Sequence, residues 1–167
     1  MRAFALAVVF AAAALSACNP KAPANGSSPH AAKTAAAAGP DPCSLITQAE
    51  AAAALQGPVG AAQKGSGFGQ FEQCQYLSAG ERIADTGAVT IQVHPVDLAS
   101  KRKALKASGE TAQAVQGIGD GAFWAPGQSS LYVGKNGLTF SFSATKSGVD
   151  AEAASRRLAE LGLQRIQ

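Results

Sequence analysis

Between Leu131 and Ser143 two runs of alternating apolar and polar residues flank the dipeptide Asn136-Gly137, and few local patterns restrict a chain more. Asn-Gly accommodates the positive φ angles of a type I′ turn, whose twist matches that of two antiparallel strands. Leu131 and Val133 lead into the turn, and Leu138, Phe140 and Phe142 leave it in alternation with Thr139, Ser141 and Ser143. A period of two puts the apolar set on one face of a sheet and the hydroxyls on the other. The same period recurs where Val89, Ile91 and Val93 alternate with Thr90, Gln92 and His94 before Pro95 ends the run, and Phe71 to Leu77 is rich in strand formers. Phe123 and Trp124 enter a further strand and point to opposite faces.

Helices are announced by their caps. Thr47 with Glu50 has the spacing of a capping box ahead of a run to Leu55, which Gly57-Pro58 stops. Asp97 can cap a helix to about Ala107 that carries Leu98 and Leu105 on one side and stops at Gly109. Ala151, Ala154, Leu158 and Leu161 recur at helical spacing behind Asp150, with Gly162 as the expected stop. Strands joined by hairpins, with helices segregated around them, make an α+β domain with a mainly antiparallel sheet and packing helices.

None of these signals lies before Asp41. Met1 and Arg2 form a short positive region, Ala3 to Leu15 an uninterrupted apolar run, and Leu15-Ser16-Ala17-Cys18 resembles the lipobox at which bacterial lipoprotein precursors are lipidated and cut. The apolar run is too short for a transmembrane helix, which needs about 20 residues. Residues 1–17 are therefore expected to be a signal peptide cleaved between Ala17 and Cys18, with Cys18 acylated and anchoring the chain in the membrane. Two or three acyl chains are needed for lasting attachment. Asn19 to Asp41 contains no large apolar residue, so residues 18–42 are expected to be the lipidated cysteine and a disordered tether with a reach of roughly 25 to 30 Å. Asn19, where aspartate would favour inner-membrane retention, points to the outer membrane, facing the periplasm, in a Gram-negative host.

Residues 43–167 then form a single globular domain of common size. Loss of Arg2 with the signal lowers the formal charge from +3 to +2, too little to imply nucleic acid. With Cys18 assigned to lipid, Cys43 and Cys74 remain, and in an oxidising compartment they most simply pair; a reactive redox pair is the alternative. The pairing would close a loop worth roughly 3.7 kcal/mol in the chain-entropy model.

Three groups of residues resemble a family of uncharacterised bacterial lipoproteins: Asp41-Pro42-Cys43-Ser44-Leu45-Ile46-Thr47 with Ala49-Glu50, then Cys74-Gln75-Tyr76, then Gly117-Ile118-Gly119-Asp120 leading to Ala122-Phe123-Trp124. The resemblance implies a Cys43–Cys74 disulfide and an α+β domain similar to the Mog1/PsbP type. It transfers no catalytic residues.

No motif announces chemistry. The stretch Gly65-Ser66-Gly67-Phe68-Gly69 lacks the Gly-Lys-Ser/Thr ending of a phosphate loop, because Gln70 follows; a mobile hairpin loop presenting Phe68 to a partner is expected instead. Asp120 between Gly119 and Gly121 is a lone carboxylate, fitter for a turn held by its own side chain than for calcium. His94 has neither a nucleophile elbow nor enough companions for zinc, so no metal, cofactor or enzymatic activity is expected. Contact residues are sought in Phe68, Trp124 and the basic cluster Lys101, Arg102, Lys103 and Lys106. The leading expectation is an envelope binding or assembly module that engages an envelope protein or a cell-wall polymer. The alternative is a carrier of a small apolar molecule in a cavity lined by Phe71, Tyr76, Phe123, Trp124, Tyr132 and Phe140.

Overall fold

The computed structural model of the chain describes residues 39–67, 71–78 and 86–166; the signal and lipidation expectations, the tether up to residue 38 and Phe68 lie outside them, whereas the last residues of the expected tether are ordered, Asp41 capping a first helix that Pro42 opens. The elements run α1 (Pro42–Leu45), α2 (Gln48–Ala54), β1 (Gln63–Gly67), β2 (Phe71–Leu77), β3 (Gly87–His94), α3 (Leu98–Ala107), β4 (Gln113–Val115), β5 (Gly121–Ala125), β6 (Ser130–Lys135), β7 (Leu138–Lys146) and α4 (Ala151–Leu163), with a single 3-10 turn between β5 and β6. The strands form one seven-stranded sheet in the order β1-β2-β3-β7-β6-β5-β4. Every pairing is antiparallel, as expected of an α+β domain built from hairpins.

The sheet consists of two meanders, β1 to β3 and β4 to β7, which meet where β3 pairs with β7. To begin the second meander at the far edge, the chain must cross the sheet. Helix α3 makes that crossing and packs on β5, β6 and β7. Helices α1, α2 and α4 belong to the main core on the other face, where Cys74, Tyr76, Val89, Ile91, Trp124, Val133, Phe140 and Phe142 project. The apolar phases of β3 and β7 stand in register across that face, Ile91 opposite Phe142 and Val93 opposite Phe140. This is the pairing that their alternation requires.

Thr47 and Glu50 close the expected capping box, and the side chains of Asp97 and Asp150 cap α3 and α4. Asn136 and Gly137 both have positive φ, 52° and 75°, so the hairpin turn follows the Asn-Gly signal. Two local expectations need correction. Gly162 does not stop α4; it lies buried within the last turn, where an added Cβ would come within 2.8 Å of the Phe142 ring. Its small size is used for helix-to-sheet approach, not for a left-handed cap. Gly65 to Gly67 belong to the paired edge strand β1, so this part of the glycine-rich stretch is not a loop. The Asp120 carboxylate accepts a hydrogen bond from the backbone N–H of Asn136 at 3.1 Å, tying the β6–β7 hairpin to the start of β5 across the sheet.

The Cys43 and Cys74 sulfurs stand 2.10 Å apart, at disulfide-bonding distance, joining α1 to β2. Tyr76 donates a hydrogen bond from its hydroxyl to the Ile46 carbonyl, reinforcing the same junction. Among the described residues no helix is long and apolar enough to cross a membrane.

Candidate functional site

The face of the sheet opposite the main core is where sequence periodicity leaves polar residues, and α3 divides it. Away from the helix, Gln73, Gln75, Thr90, Gln92 and Ser143 remain half-buried. Beneath it lies a second apolar cluster of Leu105, Phe123, Ala125 and Tyr132, with Leu98 and Ala112 packed against it. The Leu98 and Leu105 side of α3 was legible as apolar, and this cluster is what it covers.

A row of rings crosses this face. Phe71 and His94 have centroids 4.8 Å apart, His94 and Tyr132 6.0 Å, and Tyr132 stacks on Phe123 at 5.0 Å. Two members of the basic cluster lean on the row: Lys101 Nζ stands 5.0 Å from the Tyr132 centroid and Arg102 Cζ 5.9 Å from that of Phe123. Both contacts lie within cation–π range. Lys103 and Lys106 are exposed. The four cations therefore divide into two that rest on rings and two that face water.

His94 is 4% exposed. Burial, followed by the nearby Lys101 charge, pushes its pKa down from 6.5 to about 4, so the ring is neutral near pH 7. Its Nε2 lies 3.3 Å from Ser141 Oγ, and that hydroxyl donates to Gln92 Oε1 at 3.0 Å. Gln92 in turn donates from Nε2 to Gln73 Oε1 at 3.0 Å. The relay links β2, β3 and β7 across this face. Burial also pushes the Tyr132 phenol up to about 12, helped by the Glu110 charge.

The six rings named for a carrier cavity do not share a space. Tyr76, Trp124 and Phe140 belong to the main core, whereas Phe123 and Tyr132 lie on the opposite face in the row that Phe71 joins. Trp124 is 6% exposed, so its ring is a packing element with little surface to offer a partner. Phe123 and Trp124 do point to opposite faces as expected, and both are buried.

A groove of about 400 Å³ runs between α3 and the β4–β5 hairpin, lined by Leu98, Ala99, Arg102, Ala114, Val115, Gln116, Gly121, Ala122 and Phe123. Its location follows from residue size. Ala114 pairs with Phe123 and Val115 with Ala122, and the small side chains at Ala114 and Gly121 do not fill the space beside α3. Arg102 donates from Nη2 to the Ala112 carbonyl at 3.3 Å, while its Nε–H is buried with no hydrogen-bond partner. Of the expected contact residues that the structure describes, Arg102 alone lines this groove; Lys101 lies over the neighbouring ring. Ala99, Ala114 and Gly121 escaped sequence analysis because small residues mark a cavity only once the elements around it are assembled. Among the described residues no three His, Cys, Asp or Glu side chains gather as a metal-ligating group. No protein-family model, curated protein or solved structure matches the chain, so the function of this face must be inferred from its own residues.

Proposed function

We propose that the chain is an envelope lipoprotein, acylated on Cys18 and attached to the membrane, whose α+β domain works by binding and not by catalysis. The address is supported by the order of a positive start, a short apolar run and Leu15-Ser16-Ala17-Cys18, followed by a segment without large apolar residues. The binding role is carried by one observation: a groove with apolar walls beside a guanidinium that has a buried, unpartnered N–H.

The anchor is tested by growing a bacterial host that expresses the chain on an alkyne-tagged fatty acid, then fractionating its membranes. The wild-type chain is expected to carry the label and sediment with membranes, and Cys18→Ala to lose the label. A label that persists in Cys18→Ala, or that never appears in the wild type, rejects lipidation at this cysteine.

A further inference from the structure

We propose that the groove between α3 and the β4–β5 hairpin binds small molecules with an apolar body and a carboxylate, and that Arg102 receives the carboxylate. This assignment rests on the domain's role in binding and not on acylation of Cys18. The groove's volume of about 400 Å³ falls within the range of sites for small organic ligands. Leu98 and Phe123 supply apolar contact, Ala99, Ala114 and Gly121 leave the space open, and Val115 and Ala122, whose side chains turn to the main core, border the groove with their backbone. A Cβ added at Gly121 would already reach van der Waals contact with Leu98, at 3.4 Å.

Charge decides the ligand class. Arg102 cannot shed its proton, and among the described residues no carboxylate is paired with it. One Nη donates to the Ala112 carbonyl and the Nε–H donates to nothing. A buried donor without an acceptor is costly, the more so on a charged group. The Nε–H is itself closed off from the groove, so a carboxylate there would meet the Nη donors of a guanidinium that no carboxylate among the described residues neutralises. Ala99, Arg102 and Lys106 follow one another at spacings of three and four on α3, and Lys103 is four residues beyond Ala99. The exposed Lys106 therefore stands on the flank of the helix next to Arg102, with Lys103 beyond it, and both charges favour an anion over a cation near the groove. A neutral apolar molecule would fill the groove and leave the guanidinium donors unused.

The test titrates the isotopically labelled full chain with hexanoate, hexanol and hexylamine and follows backbone amide signals. Hexanoate is expected to give saturable shifts at Ala99, Arg102, Ala114, Gln116 and Gly121, and to bind at least tenfold more tightly than hexanol or hexylamine. Arg102→Gln should weaken hexanoate about tenfold and leave hexanol unchanged. Arg102→Lys, which keeps the charge and most of the stem over Phe123, should fall between them and guards against a Gln variant that fails to fold. Ala114→Leu, which fills the groove, should abolish binding of all three. Hexanoate shifts absent from these five residues, hexanol or hexylamine binding as well as hexanoate, or hexanoate affinity unchanged in Arg102→Gln would each overturn the site. Loss of the site would leave fatty-acid labelling of Cys18 intact, and loss of that labelling would leave the groove intact.

Discussion

Arg165 and Glu50, 115 positions apart in the chain, meet at 2.8 Å beside the capping box of α2. The same guanidinium donates from its other Nη to the Leu45 carbonyl at 2.6 Å, so one side chain just beyond α4 secures the junction of α1 and α2. Glu50 also accepts from the Thr47 backbone N–H at 2.8 Å. The Arg165 hydrogen bond is the largest cause holding the Glu50 pKa near 2 rather than 4.5. A carboxyl whose folded pKa is depressed contributes stability that is complete above its unfolded value and lost as pH falls through its folded one. Arg165→Met should therefore destabilise the domain at pH 7, by about 1 kcal/mol for a partly exposed pair, and the difference from wild type should shrink between pH 4.5 and 2. Thermal denaturation across that range checks it; a difference independent of pH would show that Arg165 acts through the Leu45 carbonyl alone.

His94 gives acid sensitivity in a separate window. Its folded pKa of about 4 lies below the ordinary 6.5, so the unfolded chain takes up a proton in a range where the folded domain does not. Stability is then fully present above pH 6.5 and declines as pH falls toward 4, by up to about 3 kcal/mol if the shift is realised in full. In His94→Gln the decline between pH 6.5 and 4 should flatten, while the Glu50 limb below pH 4.5 persists. A denaturation series that shows the same slope in both proteins would place the titrating group elsewhere.

Joining α1 to β2 through Cys43 and Cys74, 31 residues apart, should stabilise the domain by restricting the unfolded chain. Replacing both cysteines with serine is expected to cost roughly 3 to 4 kcal/mol in the chain-entropy model, read as a lower denaturation midpoint under oxidising conditions. Alkylation of protein isolated without reductant, followed by mass spectrometry, should find neither thiol free. Two freely alkylated thiols would contradict the bond.

Gly162→Ala sets local propensity against packing. Alanine favours a helix over glycine by about 1 kcal/mol, yet the new methyl would stand 2.8 Å and 3.0 Å from two carbons of the Phe142 ring. Overpacking of that kind costs about 1 to 3 kcal/mol. Denaturant unfolding should show a net loss, and a net gain would mean that α4 rides higher on the sheet.

Much of the fold was legible because its determinants are local. Thr47 and Glu50 are three residues apart and close their capping box whatever else the chain does. Asn136-Gly137 makes its turn from two backbone conformations, and the alternation from Leu138 to Ser143 assigns a side to every residue of its strand. Strand β4 carries no comparable signal: its three residues, Gln113 to Val115, are held in place by pairing with β5. The alternation put Thr139 and Ser141 on the polar face, and there Thr139 is 0% and Ser141 4% exposed. Thr139 donates to the Val96 carbonyl in the segment entering α3, and Ser141 sits in the His94 relay. A period of two identifies a face and says nothing about what will cover it.

The chain's own order of residues thus determined strands β2, β3, β5, β6 and β7, the capped helices α2, α3 and α4, the antiparallel pairing of β6 with β7 and the N-terminal segment that resembles an export and lipidation signal. Tertiary structure alone decided that α3 crosses the second face, that Lys101 and Arg102 rest on Tyr132 and Phe123 while Lys103 and Lys106 face water, and that a groove is left beside Ala114 and Gly121. The reason is the range over which each choice is made. Caps, turns and alternation depend on backbone torsions and contacts a few residues apart. The seat of a helix on a sheet depends on residue volumes from strands far apart in sequence, which become neighbours only when the sheet is assembled.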